Sequence, residues 1–117
     1  MNLVRLIADV SSAPAKLLSN TEEPLDLTNS SLRAVSPMHI RYLKNMNVAS
    51  SFSVSIVVDG MLWGLIACHN YLPRFINYRQ RETAKLIGQV LSSCVGMRDQ
   101  EAVQKERIKL QGIIMEV

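Results

Sequence analysis

The stretch LRAVSPMHIRYLKNM, residues 32–46, combines a helical pattern with an unusual set of charged and polar side chains. Ser36 is of a type that often caps a helix N-terminus, and Pro37 suits the first helical position. The stretch therefore predicts a helix over residues 37–46. Its apolar side chains recur every three to four positions, and the polar ones occupy a neighbouring face.

A β-hairpin follows this helix in the sequence. Residues 51–58, SFSVSIVV, alternate serine with apolar residues, which is typical of a strand with one polar and one apolar face. Asp59 and Gly60 form the strongest short hairpin signal in the chain. Residues 61–69 should therefore return as the partner strand.

The remaining chain predicts two further elements around a long loop. Residues 3–10 are short, apolar and β-branched, which indicates a buried strand. Residues 11–31 contain prolines and many Ser, Thr and Asn residues, which predicts a long loop with a helical turn near residues 15–19. A long helix should run from Tyr78 to Leu110 or beyond, because its apolar positions keep a helical spacing.

These elements predict an α+β fold: a sheet of about three antiparallel strands, a short helix and a long C-terminal helix. At 117 residues the chain has room for one modest core. We expect residues 1–78 to form that core and residues 79–117 to serve in dimerisation or output. The sequence contains no apolar run near the ~20 residues of a transmembrane helix. It also lacks the basic start and apolar core of a secretory signal, so we expect a cytoplasmic protein.

Composition argues against several classes of function. The net charge is +3, but the basic residues are scattered and many alternate with acids, which indicates a solvated surface rather than a nucleic-acid site. Cys68 and Cys94 have no metal-binding spacing and lie in apolar surroundings, so we expect buried, reduced thiols and no metal. The sequence contains no recognisable nucleophile–base pair or phosphate loop, so this chain is not expected to be an enzyme.

Two motifs carry a resemblance to a known family. Ser-Pro-Met-His at residues 36–39 is followed by Leu-Trp-Gly-Leu-Ile-Ala-Cys-His-Asn at residues 62–70. Together they resemble the chromophore-binding GAF domain of phytochromes, the bilin-carrying red-light sensors, over a match from about Leu3 to Glu101. The resemblance implies a bilin cofactor, red and far-red light sensing, and signalling to a histidine kinase module whose partner is a response regulator.

The resemblance assigns residues to the two propionate groups of the bilin. Such carboxylates need cations and hydroxyl donors. Arg5 and Arg33 fall at positions that hold one propionate, and Ser51 and Ser53 fall where hydroxyl groups bind the other. Taken singly, each would be an ordinary surface cation or strand serine. The assignment depends on the whole set occurring at one family's spacing.

The resemblance also assigns two histidines. His39 matches the histidine that contacts the pyrrole rings and orders a central water, and His69 matches the one that hydrogen-bonds the carbonyl of the isomerising ring. The rest of the pigment surface is assigned to Ser36, Tyr42 and Met46.

The predicted hairpin conflicts with the role given to His69. A regular two-residue turn places Cys68 opposite Ser51, so that His69 points to the other face of the sheet. We therefore expect irregular backbone near His69, from a bulge or from the end of the strand.

Departures from the family pattern refine this interpretation. Met38 stands where plant-type and cyanobacterial phytochromes carry the cysteine that bonds the pigment. This implies the bacterial subtype, in which biliverdin is attached to a cysteine before the PAS domain. That cysteine and the family's Asp-Ile-Pro segment lie upstream of Leu3, so we expect this chain to be a fragment that holds little or no pigment by itself. Asn47 replaces a usual glycine, which requires a left-handed backbone there.

Two other functions remain open. One is a degenerate GAF domain that binds no pigment and acts as an interaction module. The other is a cyclic-nucleotide GAF domain, which the Ser-Pro-Met-His and Ala-Cys-His signatures disfavour. We expect a homodimer or a larger assembly through residues 87–95 of the long helix, because Ile87, Val90, Leu91 and Cys94 form an apolar stripe. The alternative is that this stripe covers the sheet of its own chain. We also expect the sheet face that carries Phe52 to be exposed.

Overall fold

The computed structural model describes residues 2–31 and 33–116. Three residues lie outside the described residues: Met1, Leu32 and Val117. Met1 begins the predicted segment 1–78, and Val117 ends the predicted segment 79–117. The predicted α+β fold is confirmed. Its elements are, in chain order, β1 (Val4–Ile7), α1 (Pro37–Asn45), β2 (Ser50–Val58), β3 (Met61–Asn70) and α2 (Tyr78–Met115).

The three strands form one antiparallel sheet in the order β1-β2-β3. The hairpin between β2 and β3 turns at Asp59 and Gly60, whose φ angles are 51° and 76°. Positive φ at both central residues is the geometry that an Asp-Gly hairpin favours, because it matches the twist of the two strands. The predicted hairpin is confirmed.

Helix α1 packs one apolar face on the end of the sheet. Leu43 is 0% exposed and belongs to a cluster of buried residues. The other members are Ile7 at the end of β1, Val10 just after it, and Val48 between α1 and β2. Ser36 occupies the N-cap position, where its C=O accepts the Ile40 N–H at 3.1 Å. The Ser36 hydroxyl makes no capping hydrogen bond, so only the position of the predicted cap is correct.

The apolar face of β2 is covered by α2. Phe52, Val54 and Ile56 are each less than a tenth exposed. The expectation that this face would be exposed is therefore wrong. Gly88 explains the close approach, because a Cβ at this position would overlap Val54 Cγ1. A residue without a side chain lets the helix lie directly on the strand.

Residues 11–31 form an exposed loop, and the helical turn expected near residues 15–19 is not present. Polar side chains satisfy the loop backbone locally instead. The Asp9 carboxylate accepts the Ser11 N–H at 2.8 Å, and the Asp26 carboxylate accepts the Thr28 N–H at 2.9 Å. Such local hydrogen bonds compete with helix formation.

Helix α2 begins with a capping box. Gln80 N–H donates to Asn77 Oδ1 at 2.9 Å, and Asn77 N–H donates to Gln80 Oε1 at 3.2 Å. The helix has 38 residues, or about 57 Å at 1.5 Å per residue. Only its first half packs on the sheet, and every described residue from Met97 onward is exposed. In the described part of the chain, no helix has the length and apolarity needed to cross a membrane.

Both cysteines are free and exposed. The expectation of buried thiols is wrong for a tertiary reason. Cys68 lies on β3, an edge strand whose described side chains are mostly exposed, and Cys94 lies on the part of α2 that faces away from the sheet.

Candidate functional site

One face of the sheet collects the polar side chains of all three strands. Arg5 of β1 is paired with Ser53 of β2, and Ser51 is paired with His69 of β3. Residues that are directly opposite in an antiparallel sheet point to the same face, and so do residues two apart along a strand. Arg5, Ser51, Ser53 and His69 therefore share one face, opposite to the face that packs on α2.

A β-bulge places His69 on this face. The pairing is Val57 with Leu62 but Ile56 with Gly64, so Trp63 is the extra residue. The bulge shifts every later pair by one residue and turns each side chain to the other face.

The predicted irregular backbone is confirmed, although it lies near the turn rather than at His69. The pairing of Cys68 with Ser51 is wrong, because Cys68 is opposite Phe52 on the face toward α2. Gly64 is a weak signal for this bulge in the sequence, since a glycine inside a strand often indicates a bulge.

Arg5 and Arg33 form a pair of like charges at the edge of this face. Partial burial and, to a smaller extent, the charge of Arg33 lower the pKa of Arg5. Arg33 Nη1 donates to the Thr28 C=O at 2.8 Å. Neither guanidinium forms an ion pair with any carboxylate of residues 2–31 and 33–116. Two unneutralised cations side by side favour a bound anion.

A cavity of about 320 Å³ brings four of the predicted site residues together. They are Arg5, Arg33, His39 and Ser53. Ser55 also lines this cavity and was not assigned from the sequence, although the period of two that selected Ser51 and Ser53 selects it as well.

Ser51 and His69 lie at the other end of the strands. Both line a second cavity of about 480 Å³, together with Asn70 and Arg74. Arg74 is a further cation that the sequence analysis did not assign. Phe52 and two residues of α2, Gln80 and Ala84, also line this second cavity, so it opens on the side of α2 and is separate from the cavity of Arg5 and Arg33.

The three remaining predicted residues lie on or beside α1. The rings of His39 and Tyr42 are stacked, with centroids 6.1 Å apart and an angle of 26° between their planes. Met46 packs against the hydrophobic core, and Ser36 is an exposed N-cap residue. Tyr42 therefore accompanies His39, while Met46 and Ser36 lie at the margins of the surface.

This arrangement is suited to binding rather than to catalysis. Arg5, serine hydroxyl groups and His69 share one face of the sheet, and Arg33 and His39 line the cavity at its edge. Such a set fits an elongated polar ligand with acidic groups. Among the residues that the structure describes, no group of three or more His, Cys, Asp or Glu side chains could hold a metal ion.

Comparison with known families agrees with this architecture. The sequence pattern of the GAF domain matches residues 6–96, a span that includes α1, the whole hairpin and the part of α2 that packs on the sheet. This chain belongs to the GAF domain family. The pattern ends at Gly96, close to the point where α2 leaves the sheet.

This GAF domain is similar to the same region of bacteriophytochromes. It is 45% identical to the bacteriophytochrome of Pseudomonas aeruginosa over 103 residues, which cover 85% of the chain and 14% of the relative. It is 38% identical to the bacteriophytochrome of Xanthomonas campestris pv. campestris over an alignment of 120 residues, gaps included, that covers 99% of the chain and 18% of the relative. The chain thus spans less than a fifth of the length of either relative.

A solved structure is similar to this GAF domain in both fold and sequence. The chromophore-binding domain of a bacteriophytochrome from R. palustris superimposes with a TM-score of 0.79 and 40% identity. The match covers 86% of this GAF domain and 34% of that chain. The similarity in fold and sequence therefore extends over most of this chain and about a third of the solved domain.

Proposed function

We propose that this GAF domain contributes part of the bilin-binding surface of a phytochrome-type receptor for red and far-red light. The observation that carries the proposal is the unneutralised pair Arg5 and Arg33 beside His39 and Ser53 in one cavity. Relatives named bacteriophytochrome, and a solved domain described as chromophore-binding, support a bilin over other acidic ligands.

The arginines and serines hold the two propionates in this proposal. Burial and, to a smaller extent, repulsion from Arg33 lower the pKa of Arg5, and a propionate between the two guanidinium groups would offset both effects. A guanidinium donates several N–H groups in a planar fork that fits a carboxylate. Ser53 and Ser51 donate hydroxyl hydrogen bonds to the second propionate from the neighbouring strand.

The histidines orient the ring system. His39 donates toward the pyrrole region from α1, and its stacking on Tyr42 restrains the imidazole plane. His69 faces the same side of the sheet as Ser51 because of the bulge, and it donates toward the carbonyl of the terminal ring. When bound, the bilin itself supplies light absorption and double-bond isomerisation.

We propose that the bilin is biliverdin and that it binds this chain without a covalent bond. Met38 carries a thioether at the position before His39, so it has no thiol to attach the pigment. The Cys68 thiol is on the opposite sheet face from Ser51 and His69. The intact receptor would attach the pigment elsewhere.

The parent protein, in the same proposal, is a cytoplasmic sensor histidine kinase whose partner is a response regulator. Residues 1–78 form the sensory core and residues 79–117 the output helix. Ile87 is 55% exposed and Leu91 is 40% exposed, so the predicted stripe is free to pair with a second copy. This chain itself has no enzymatic role.

Titration with biliverdin tests the proposal. The wild-type chain should bind biliverdin weakly, so its red absorbance band should saturate only at high biliverdin concentration. Arg33→Gln should weaken binding about tenfold, since a hydrogen bond to a charged group contributes about 1.5–3 kcal/mol. Arg41→Gln is the matched control, because Arg41 is an exposed cation on α1 that lines neither cavity described above. Equal affinities for the two variants would refute the role of Arg33.

A second candidate is a GAF interaction module that binds no pigment. The exposed stripe on α2 favours it, because dimerisation needs no ligand. The same titration of the intact receptor separates the two, since a receptor whose GAF domain is only an interaction module shows no red band at any biliverdin concentration.

A further inference from the structure

Helix α2 lies on β2 through a row of small residues. Gly88, Ser92 and Gly96 are four residues apart and so fall on one face of the helix. Gly88 lies against Val54, and a Cβ at Gly96 would come within 3.3 Å of Val58 Cγ1. The two glycines give a close approach, and the serine between them adds a polar group at the contact.

Ser92 forms a hydrogen-bonded link between the strand and the helix. Val57 N–H donates to Ser92 Oγ at 3.1 Å, and the same hydroxyl donates to the Gly88 C=O at 2.8 Å. The link is partly buried, which reduces competition from water. One side chain therefore joins the backbone of β2 to the backbone of α2.

The Val57 N–H is directed to the edge of β2 that faces β1. Ser55 N–H donates to the Leu3 C=O at 2.7 Å, just before the first residue of β1. Alternate residues of a strand direct their N–H groups to the same side. Val57 therefore directs its N–H to the same side of β2 as Ser55 does, and Ser92 Oγ accepts it there.

Val57 also lies at the register shift. The pairing changes between Ile56 and Val57, and this change is what brings His69 to the face of Ser51. Ser53 and Ser55, on the same strand, line the cavity with Arg5 and Arg33. The strand that Ser92 holds is thus the strand that carries the candidate ligand surface.

We propose that Ser92 is a positioning residue that fixes β2 on α2 and couples the candidate ligand face to the helix. Removal of its hydroxyl leaves the Val57 N–H without its acceptor in a partly buried site. The strand is then held to the helix only by apolar contacts, which are not directional. The two elements open independently as a result. The link to a ligand rests on the proposed function, but the link between strand and helix does not.

Amide hydrogen exchange without ligand tests the structural part. Ser92→Ala should raise the exchange rate of the Val57 amide about threefold to tenfold, the effect of one ordinary hydrogen bond. Ser93→Ala is a matched control, because Ser93 Oγ donates to the Gln89 C=O at 3.2 Å but lies on an exposed part of the same helix. Ser92→Thr keeps the hydroxyl and should restore the wild-type rate.

The same data test the coupling. In wild type and Ser93→Ala, the amides of residues 53–57 and 88–92 should open with one common free energy, and in Ser92→Ala the two segments should separate. An unchanged Val57 rate in Ser92→Ala, or a single common opening in that variant, would overturn the proposal. Destabilisation of the whole domain is recognised because it raises every rate by the same factor, and that outcome also counts against a local positioning role.

Addition of biliverdin provides the arm that depends on the proposed function. Amide signals of Ser53 and Ser55 should shift in all variants, while the signals of residues 89–96 should shift in wild type and Ser93→Ala but not in Ser92→Ala. Equal shifts of the helix signals in Ser92→Ala would overturn the coupling. Absence of any shift at Ser53 in every variant would refute the pigment site, and the exchange data would still decide the role of Ser92.

Discussion

Gly88 of α2 lies directly on Val54 of β2, so close that a Cβ at Gly88 would overlap the Val54 Cγ1 atom. Gly88→Ala should therefore lower the free energy of unfolding by about 1–3 kcal/mol, the usual cost of overpacking a core. Urea denaturation measures this change.

Gly112 is the control for that substitution. It lies in the same helix, and a Cβ there meets nothing within 4 Å. Gly112→Ala should instead stabilise the helix by about 0.5–1 kcal/mol, because alanine has the higher helix propensity. Changes of the same sign in both variants would show that helix propensity, not packing on Val54, decides the result.

Asn47 has a left-handed backbone, with φ of 56°. Asn47→Ala should destabilise the domain by about 1 kcal/mol, and Asn47→Gly should be neutral or stabilising, since glycine tolerates this conformation best. Thermal denaturation of the two variants checks the order. Asn45→Ala, at the exposed end of α1, is the control and should not destabilise. A result in which alanine at position 47 is tolerated as well as glycine would contradict this explanation.

Arg5 should have opposite effects on stability and on binding. Its pKa is lowered first by burial and then by Arg33, so the charged side chain is held at some cost in the ligand-free domain. Arg5→Met keeps the length and removes the charge. It should leave the free energy of unfolding unchanged or raise it by at most about 1 kcal/mol, because the site is partly solvated.

The same variant should bind biliverdin more weakly, as judged by the red absorbance. Lys44→Met, on the exposed side of α1, should change neither property. A clear loss of stability in Arg5→Met would mean that Arg5 is held by favourable contacts rather than kept for a ligand.

Asp26 provides a pH dependence in the long loop. Hydrogen bonds from the Thr28 hydroxyl and then from the Thr28 N–H lower the pKa of its carboxyl below 3.8. Because the folded pKa is below the ordinary value, these hydrogen bonds stabilise the loop above that value and are lost as the pH falls through the folded pKa. Carboxyl carbon shifts measured by NMR should give a midpoint below 3.8 for Asp26. Thr28→Val should return the midpoint toward 3.8; an unmoved midpoint would contradict the assigned cause.

The exposed stripe on α2 predicts self-association. Wild type should form a dimer at ~100 μM, above the micromolar dissociation constants of moderate interfaces. Leu91→Glu should be monomeric in sedimentation equilibrium, because it places a charge in the apolar seam. Ser93→Glu adds the same charge two residues along, on another side of the helix, and should still dimerise. A wild-type protein that is strictly monomeric at this concentration would contradict the prediction.

Several elements were predictable because local chemistry determines them. The Asp59-Gly60 turn needs positive φ at two adjacent residues, and few other residue pairs supply it. Helix α1 begins at Pro37 as its pattern predicts, and Asn47 adopts the left-handed conformation expected of a position usually held by glycine. The family resemblance selected Arg5, Arg33, His39 and Ser53, and the structure brings these four residues to one cavity.

The direction of His69 was decided by tertiary structure. A regular hairpin and a bulged hairpin have the same turn and the same strands, yet they place opposite sets of side chains on a given face. Gly64 alone is a weak signal for a bulge. The choice depends on which residues of β3 pair with β2, and the pairing is a contact between strands rather than a property of the turn.

The sequence by itself determined where the strands, turns and helices form, because hydrophobic period, capping residues and turn chemistry act over a few neighbouring residues. It also determined which residue types reach the candidate site. Only the tertiary structure decided that α2 covers the apolar face of β2 and that Cys68 and Cys94 are exposed. The close contact of Gly88 with Val54 sets the rotation of α2 on the sheet and leaves its larger apolar side chains facing outward, whereas Cys68 is exposed because β3 is an edge strand.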